Sequence, residues 1–168
     1  EVHAMLININ REMKKRGRLL NELEVAHIND IPAHKRPNYI VVCIDEFSLL
    51  KKEKEVLAII EDISSIGRAL GEYLILSTQR PDHQILDGKL KNNLTVRMAF
   101  RHKDAINSRI SLDSEHAATI RKSTKGRHFL ALDELFQVQA PYLTLDHAKS
   151  LLKPFKRSKG ELKQHDII

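Results

Sequence analysis

The sequence has little cysteine, tryptophan or aromatic residue of any kind, and each scarcity excludes a class of protein. One cysteine among 168 residues rules out a disulfide framework or a cysteine-based zinc site within one chain. With no tryptophan and 5% aromatic residues, a platform that stacks single-stranded bases is a poor fit. No apolar run approaches the roughly 20 residues that span a bilayer. The start lacks both an initiator Met and a signal peptide's apolar core, so we expect a piece of a longer protein or a processed one.

Glycine is also scarce, with only six in the chain. The loop that cradles nucleotide phosphates has the pattern G-x-x-x-x-G-K-[ST], which needs two glycines and a lysine at fixed spacing. No glycine here has Gly-Lys at the required distance. We therefore expect that this chain cannot cradle β- and γ-phosphates in the usual way. The H-E-x-x-H and G-x-S-x-G patterns of metalloproteases and serine hydrolases are absent too.

Charged and apolar residues are both plentiful. The 42% hydrophobic and 30% charged residues indicate one globular domain rather than a disordered chain. The net charge of +6 and a pI near 9.5 favour an anionic partner or surface. Between Arg80 and Arg127 lie eleven basic and five acidic residues, a local charge of +6.

Apolar patterning predicts a strand, a helix and a strand in the first half of the chain. Residues 39–46 contain a continuous, largely β-branched apolar run before Asp45, typical of a strand covered on both faces, with Cys43 buried inside it. An apolar stripe that includes Ile66 predicts a helix over 52–70, and 73–77 forms the second strand. This is the crossover unit of a parallel sheet.

Further elements flank this unit. A helix over 1–26 precedes it, and we interpret the basic side of that helix, which includes Arg16, as a solvated face. Residues 29–38 read as a loop. Asp146 is expected to cap a short helix near the end of the chain. The remaining predictions are a loop and helix over 82–94, a strand over 96–100, short helices near 103–110 and 114–121, a hairpin of 127–132 with 136–143, and a helix over 147–152.

Polar side chains follow both strands of the crossover unit. Asp45 and Glu46 end the first strand, in the manner of a Walker B segment, and the second strand ends in Ser77-Thr78-Gln79-Arg80-Pro81. In an open α/β sheet, ligands bind beyond the carboxyl ends of the strands. One acid there can hold magnesium through water, and the other can orient an attacking water. A strand that merely ends in surface acids, and an ordinary turn before Pro81, are the alternatives.

Taken together, these segments resemble the FtsK/SpoIIIE family of DNA translocases over roughly residues 5–145. The match runs in order along the chain, and the joint motif is far more specific than any one piece. Its quoted parts are Glu12-Met13-Lys14-Lys15-Arg16, the strand of 39–47, the block from Gly67 to Pro81, the segments 93–100 and 107–113, and Val138-Gln139-Ala140-Pro141-Tyr142.

The resemblance implies a RecA-like motor that forms hexameric rings and moves along DNA using ATP and Mg²⁺. By position, Asp45 would hold the magnesium through water and Glu46 would be the catalytic acid. Thr78 and Gln79 would contact the nucleotide, and Gln79 would sense its γ-phosphate. Arg68 matches the arginine that such rings present to the neighbouring subunit's nucleotide, although a cation at a helix end also suits the helix dipole.

The implied fold is α/β: a RecA-like P-loop NTPase sheet, mostly parallel with a terminal antiparallel hairpin and flanked by helices, with its Walker A half missing. Residues 1–150 would form a partial motor domain, and 151–168 a basic, mobile tail. The chain would lie in the cytoplasm, with its parent anchored at the inner face of the bacterial membrane.

Within the family, the sequence most resembles coupling proteins of Gram-positive conjugative elements. The expected partners are therefore DNA, other copies of the chain in a ring and other conjugation proteins. DNA contact would be non-specific and would use Lys89, Lys91, Arg101 and Lys103. Arg97 and Arg109 also match family positions, with no role assigned. No winged-helix segment follows residue 145, which favours bare translocation in conjugation or chromosome partitioning. A ring ATPase of type VII-like protein secretion, or a non-hydrolytic interaction fragment, remains the alternative.

Overall fold

The computed structural model describes residues 2–50, 52–79, 81 and 88–156. Contacts within the chain divide it into two compact units, Glu1–Val96 and Arg97–Ile168. None of the helices in these described ranges is both long enough and apolar enough to cross a membrane.

The first unit contains the predicted crossover. Its helices and strands are α1 (Val2–Glu22), β1 (Ile40–Ile44), α2 (Lys54–Leu70), β2 (Glu72–Leu76) and α3 (Gly88–Asn93), with single 3-10 turns at Ile28–Asp30 and Phe47–Leu50. Strands β1 and β2 pair in parallel, with Ile40 opposite Glu72 and Ile44 opposite Leu76. This confirms the predicted strand, helix and strand. The predicted loop over 82–87 lies outside the described residues.

The core of this unit lies between α1, α2 and one face of the sheet. Its buried apolar side chains are Leu6, Ile9, Met13, Leu20, Ile28, Ile31, Val42, Phe47, Val56, Ile59, Ile60, Ile63, Leu70 and Leu90. The other face of the sheet is open: Val41 is 59% exposed, Ile75 is 53% exposed, and Cys43 is exposed. The prediction of strands covered on both faces, with Cys43 buried, is therefore wrong for this chain, because α1 and α2 pack on one side only.

The buried stripe of α2 also differs from the prediction. Ile66 is 51% exposed, and Gly67 is buried in its place. A Cβ on Gly67 would lie 2.5 Å from the backbone oxygen of Glu72, so α2 approaches β2 more closely here than any side chain would allow. Gly71 then ends the helix in the left-handed conformation, at φ 73°.

The second unit is built on an antiparallel sheet. It contains β3 (Arg97–Phe100), α4 (Ala105–Leu112), β4 (Arg127–Ala131), β5 (Leu135–Gln139) and α5 (Leu145–Leu152), with 3-10 turns at His116–Thr119 and Lys153–Phe155. The sheet order is β3-β4-β5, and both pairs are antiparallel. The terminal hairpin is thus confirmed.

The expectation of a mostly parallel sheet is wrong for the described residues, because β3 pairs antiparallel with β4. The His102 N–H donates to the Ala117 oxygen at 3.1 Å, which holds the 3-10 turn beside the end of β3. Phe100, the last residue of β3, lies opposite His128 near the start of β4, so the chain enters β4 at the end where β3 stops and the two strands run in opposite directions. Inside this connection, the buried Ser108 hydroxyl accepts from the Ala117 N–H and donates to the Ser114 oxygen.

The last helix, α5, begins two residues earlier than expected. Thr144 caps α5, since its hydroxyl accepts from the His147 N–H at 3.2 Å, and Asp146 lies in the first turn instead. Asp146 therefore does not supply the predicted cap. The predicted mobile tail spans 151–168: its first residues form the end of α5 and the 3-10 turn at Lys153–Phe155, and residues 157–168 lie outside the described residues.

Candidate functional site

The carboxyl ends of β1 and β2 bring the two polar segments of the sequence together. The Ser77 N–H donates to the Ile44 oxygen, and the Phe47 N–H donates to the Ser77 oxygen, each at 3.0 Å. These two bonds extend the parallel pairing by one residue past the strands, so the turn with Asp45 and Glu46 lies directly against the exit of β2. Residues 32 positions apart in sequence thus form one site.

Glu46 is held from three directions. Its Oε1 accepts from the Thr78 hydroxyl at 2.7 Å and from the Ser48 hydroxyl. Its Oε2 accepts from the backbone N–H of Gln79 at 2.9 Å. Its backbone adopts a left-handed conformation, at φ 51°, which costs a residue with a Cβ roughly 1–2 kcal/mol. The surrounding bonds offset that cost and fix where the carboxylate points.

Asp45 is more open to solvent than Glu46. Its Oδ1 accepts from the Ser77 hydroxyl, and the residue is exposed. Carboxylate and hydroxyl oxygens suit magnesium, which keeps much of its own water. Across the described ranges, no group of three or more His, Cys, Asp or Glu side chains could hold a metal ion. The Asp45 carboxylate and the Ser77 hydroxyl could contribute oxygen ligands to a hydrated magnesium ion.

The remaining nucleotide-contact candidates lie at the same edge. Thr78 is half-buried and donates its hydroxyl to Glu46, as described above. Gln79 is exposed, and only its backbone N–H is fixed by Glu46. Ser48 and Ser77 were not among the predicted site residues. A hydroxyl two positions after an acid carries no distinctive sequence signal, whereas Ser77 could have been found from its position beside Thr78.

Arg68 lies at the opposite end of the sheet, where the strands begin. It is in the last turn of α2, the helix that leads into β2. Here the chain is back at the end of the sheet where β1 begins, and the Ile40 N–H donates to the Gly71 oxygen at 2.9 Å. The length of the strands, roughly 15 Å, separates this end from Asp45. The Arg68 side chain is exposed and makes no hydrogen bond or ion pair with the described part of the chain. The structure therefore does not bring Arg68 to the acids of its own site.

A buried charge cluster lies beneath this end of α2. Arg16 is 5% exposed and Glu72 is 1% exposed, with the Arg16 Nε 3.9 Å from the Glu72 Oε1. Burial raises the pKa of Glu72 to about 7, although the nearby Arg16 guanidinium lowers it. The interpretation of Arg16 as part of a solvated face is wrong. Neighbouring basic residues on α1, such as Lys14 and Arg18, are exposed as expected.

The predicted DNA-binding residues are divided between the two units. Lys89 and Lys91 belong to α3 in the first unit, where the Lys89 Nζ pairs with the Glu61 Oε2 at 2.9 Å. Arg101 and Lys103 are exposed after β3 in the second unit.

Arg97 and Arg109, to which no role was assigned, form ion pairs within the second unit. The Arg97 Nη1 lies 2.8 Å from the Asp113 Oδ2, and Arg109 pairs with Glu115. The first pair joins β3 to the residue that ends α4, and the second joins the last turn of α4 to the segment that follows the helix.

Comparison with known proteins gives a consistent set of relatives. No protein-family model matches the chain. The DNA translocase FtsK of Helicobacter pylori J99 is 30% identical over 167 residues, which are 92% of this chain and 19% of that protein. The ESX secretion system protein YukB of Bacillus subtilis is 34% identical over 154 residues, 82% of this chain and 10% of that protein. The solved pCW3 conjugation coupling protein TcpA, in its monomer form with ATPγS, is 28% identical at a TM-score of 0.81, over 93% of this chain and 50% of that one.

The crossover unit and its acid-and-hydroxyl site have the fold of part of a P-loop nucleotide triphosphatase motor domain. Within that class, the chain belongs to the FtsK/SpoIIIE family. It spans about a fifth of the length of the FtsK relatives from Helicobacter pylori and half of the TcpA chain.

Proposed function

We propose that this chain is the carboxyl-terminal half of the motor domain of an ATP-driven DNA translocase, acting in conjugative transfer or chromosome partitioning. One observation supports it most: the Asp45 and Glu46 carboxylates are hydrogen-bonded to Ser77 and Thr78 at the exit of the neighbouring parallel strand. The resemblance to FtsK and to a conjugation coupling protein over more than nine-tenths of the chain agrees with this reading.

The chemistry follows from the two acids. Asp45, exposed and oriented by Ser77, would hold the hydrated magnesium ion of ATP. Glu46, fixed by Thr78 and Gln79, would orient and deprotonate the water that attacks the γ-phosphate. Magnesium supplies neutralising charge on the phosphate oxygens when bound. The Gln79 side chain, exposed beside Glu46, would sense the γ-phosphate.

The phosphate-binding loop belongs, in this proposal, to sequence outside the chain. The printed sequence contains no G-x-x-x-x-G-K-[ST], so its own residues supply only the metal and water side of the site. The chain alone is therefore expected to lack ATPase activity.

Arg68 supports a ring arrangement. An arginine that is exposed, and that is separated from its own acids by the length of the sheet, is suited to a nucleotide on a neighbouring copy. Charge that develops on the transferring phosphoryl group needs such a cation. We propose a hexameric ring in which each Arg68 completes the next subunit's site.

The protein would bind DNA through the phosphate groups of its backbone. Lys89 and Lys91 in the first unit, and Arg101 and Lys103 in the second, would each contribute non-specific electrostatic attraction, which fits the net charge of +6. The complete protein would be anchored at the inner face of the membrane and would meet other conjugation proteins there.

A second candidate is a ring ATPase of protein secretion. The observation that favours it is the 34% identity to YukB over 82% of this chain. The two candidates share the strand-end chemistry, so they differ in the substrate and not in the reaction.

The deciding experiment measures ATP turnover by the complete protein with and without random-sequence duplex DNA. Stimulation by DNA that Glu46→Gln abolishes would support translocation. The matched control is Glu22→Gln, because Glu22 is an exposed glutamate in the same unit. Turnover that DNA leaves unchanged would favour secretion, and no turnover in the wild-type protein would contradict both.

A further inference from the structure

The most unusual side chain outside the strand-end site is Arg16. It is a basic residue in the middle of α1, yet it is buried while the basic residues around it are exposed. Burying a charge costs several kcal/mol unless hydrogen bonds and an opposite charge compensate. An apolar residue would fill the same space without that cost, so the contacts that Arg16 makes must account for it.

Those contacts join α1 to the two chain segments at the amino-terminal edge of the sheet. The Nη1 of Arg16 donates to the Leu70 oxygen at 3.1 Å and to the Gly71 oxygen at 3.4 Å. Its Nη2 donates to the Asn38 oxygen at 2.8 Å. One planar guanidinium thus binds the end of α2 and the approach to β1 at once. The point charge of a lysine could not reproduce this fork.

The Glu12 carboxylate pairs directly with the charge of Arg16, and the Glu72 carboxyl group lies beside it. The Nε of Arg16 donates to the Glu12 Oε1 at 3.1 Å, one turn earlier on the same helix. Glu72, the first residue of β2, lies on the same side of the guanidinium. Arg16 is therefore anchored in α1 by Glu12, and the other end of its guanidinium is free to bind the backbone of α2.

The backbone that Arg16 binds is the backbone that carries Arg68. The Gly71 N–H donates to the Arg68 oxygen at 3.3 Å, so the turn held by Arg16 closes on Arg68 itself. The close approach of Gly67 to Glu72 fixes the other side of Arg68. Arg68 thus extends into solvent from a backbone that is held on both sides.

We propose that Arg16 is a positioning residue for Arg68: it holds the end of α2 so that Arg68 reaches the neighbouring subunit's nucleotide. This inference rests on the proposed ring ATPase. Arg16 itself touches no substrate. Displacing a catalytic group by about 1 Å can cost on the order of 100-fold in rate, so loosening this turn should be visible in turnover.

The first test compares Arg16→Lys with Arg18→Lys in the complete protein. Arg18 is an exposed arginine two positions away on the same helix, so its variant controls for the chemical change. We expect Arg16→Lys to lower kcat on the order of 10- to 100-fold with the KM for ATP unchanged, because the finger arginine acts in the transition state. Arg18→Lys should behave as wild type. An unchanged kcat in Arg16→Lys overturns the inference.

The second test mixes subunits, and it separates positioning from a general loss of folding. Subunits with Arg16→Lys keep intact acids, and subunits with Glu46→Gln keep an intact finger. A mixture of the two should regain turnover at mixed interfaces, whereas a mixture of Arg16→Lys with Arg68→Ala should not. If the mixture with Glu46→Gln stays inactive, Arg16 serves its own subunit's folding and the inference fails.

A reference mixture keeps this outcome distinct from failure of the proposed function. Subunits with Arg68→Ala mixed with Glu46→Gln subunits must regain turnover if Arg68 acts on its neighbour. If they do, a negative result with Arg16→Lys counts against Arg16 alone. If they do not, the ring arrangement is wrong, and the inference about Arg16 falls with it.

Discussion

The Thr78 hydroxyl donates to the Glu46 Oε1 at 2.7 Å, which ties the turn after β1 to the exit of β2. Thr78→Val removes this donor and keeps the shape of the side chain. We expect ATP turnover by the complete protein to fall roughly 10-fold or more, because the carboxylate loses one of the bonds that aim it. Thr78→Ser keeps the hydroxyl and should retain most of the activity. Equal losses in both variants would mean that the methyl group of Thr78, and not its hydroxyl, matters.

Arg68 should be separable from folding. Since its side chain is exposed, Arg68→Ala should leave the thermal midpoint of the complete protein unchanged. Turnover should drop by about 10³-fold or more, because a finger arginine stabilises transition-state charge. Lys14→Ala removes an exposed cation elsewhere in the unit and should leave turnover unchanged. Near-normal turnover in Arg68→Ala would remove it as the finger.

Two glycines in helices should respond to alanine in opposite directions. Gly67→Ala places a Cβ 2.5 Å from the Glu72 backbone oxygen and should lower the free energy of unfolding by about 1–3 kcal/mol. Gly17→Ala, in the open part of α1, meets no atom within 4 Å and should raise it by about 0.5–1 kcal/mol. Urea denaturation of the chain measures both. A stabilising Gly67→Ala would contradict the close approach of α2 to β2.

Stability should depend on pH through Glu72. The pKa of Glu72 is about 7 in the folded chain and 4.5 for an ordinary glutamate, as in the unfolded chain. Between pH 4.5 and 7, the folded chain therefore holds a proton that the unfolded chain has lost. This contribution is therefore fully present below pH 4.5 and is lost as pH rises through 7. Its size is on the order of 3 kcal/mol.

The measurement compares the wild-type chain with Glu72→Gln by urea denaturation from pH 4.5 to 8. The charges that face Glu72 are those of Arg16 and Glu12, and both remain in the variant. The wild type should lose stability relative to Glu72→Gln as pH rises. A difference that stays constant across this range would show that Glu72 keeps an ordinary pKa.

DNA affinity should fall steeply with salt. If Lys89, Lys91, Arg101 and Lys103 contact phosphates, replacing all four with Gln should reduce the magnitude of the slope of log affinity against log salt by about 3.6. Fluorescence anisotropy of the chain on random-sequence duplex DNA gives the slope. The control makes the same change in charge at exposed basic residues elsewhere, namely Arg11, Lys14, Arg18 and Lys35. A flat response to salt, or no binding at low salt, would favour the secretion candidate.

Local patterns predicted most of the elements and the position of the acids. The stripe from Val56 to Leu70 and the β-branched run before Asp45 each specify their own structure, and parallel pairing then brings the strand ends together. The burial of Arg16 could not be predicted this way, because its hydrogen-bond acceptors lie up to 55 positions away. The antiparallel direction of β3 likewise depends on its pairing with β4, about 30 positions later in the chain.

The exposure of Ile66 has a similar cause. Its spacing fits the apolar stripe, but Gly67 lets the helix approach β2 so closely that the glycine takes the inward position. A residue with no side chain gives no apolar signal. Patterns of hydrophobicity therefore miss contacts that are made by the backbone alone.

The open face of the β1–β2 sheet carries a natural site for chemical labelling. Cys43 is the sole cysteine and is exposed on β1, among apolar side chains such as Val41 and Ile75. A maleimide dye would therefore attach at one defined point without any engineered thiol. The rate of that labelling would read out, in real time, whether another part of a larger assembly has covered the sheet.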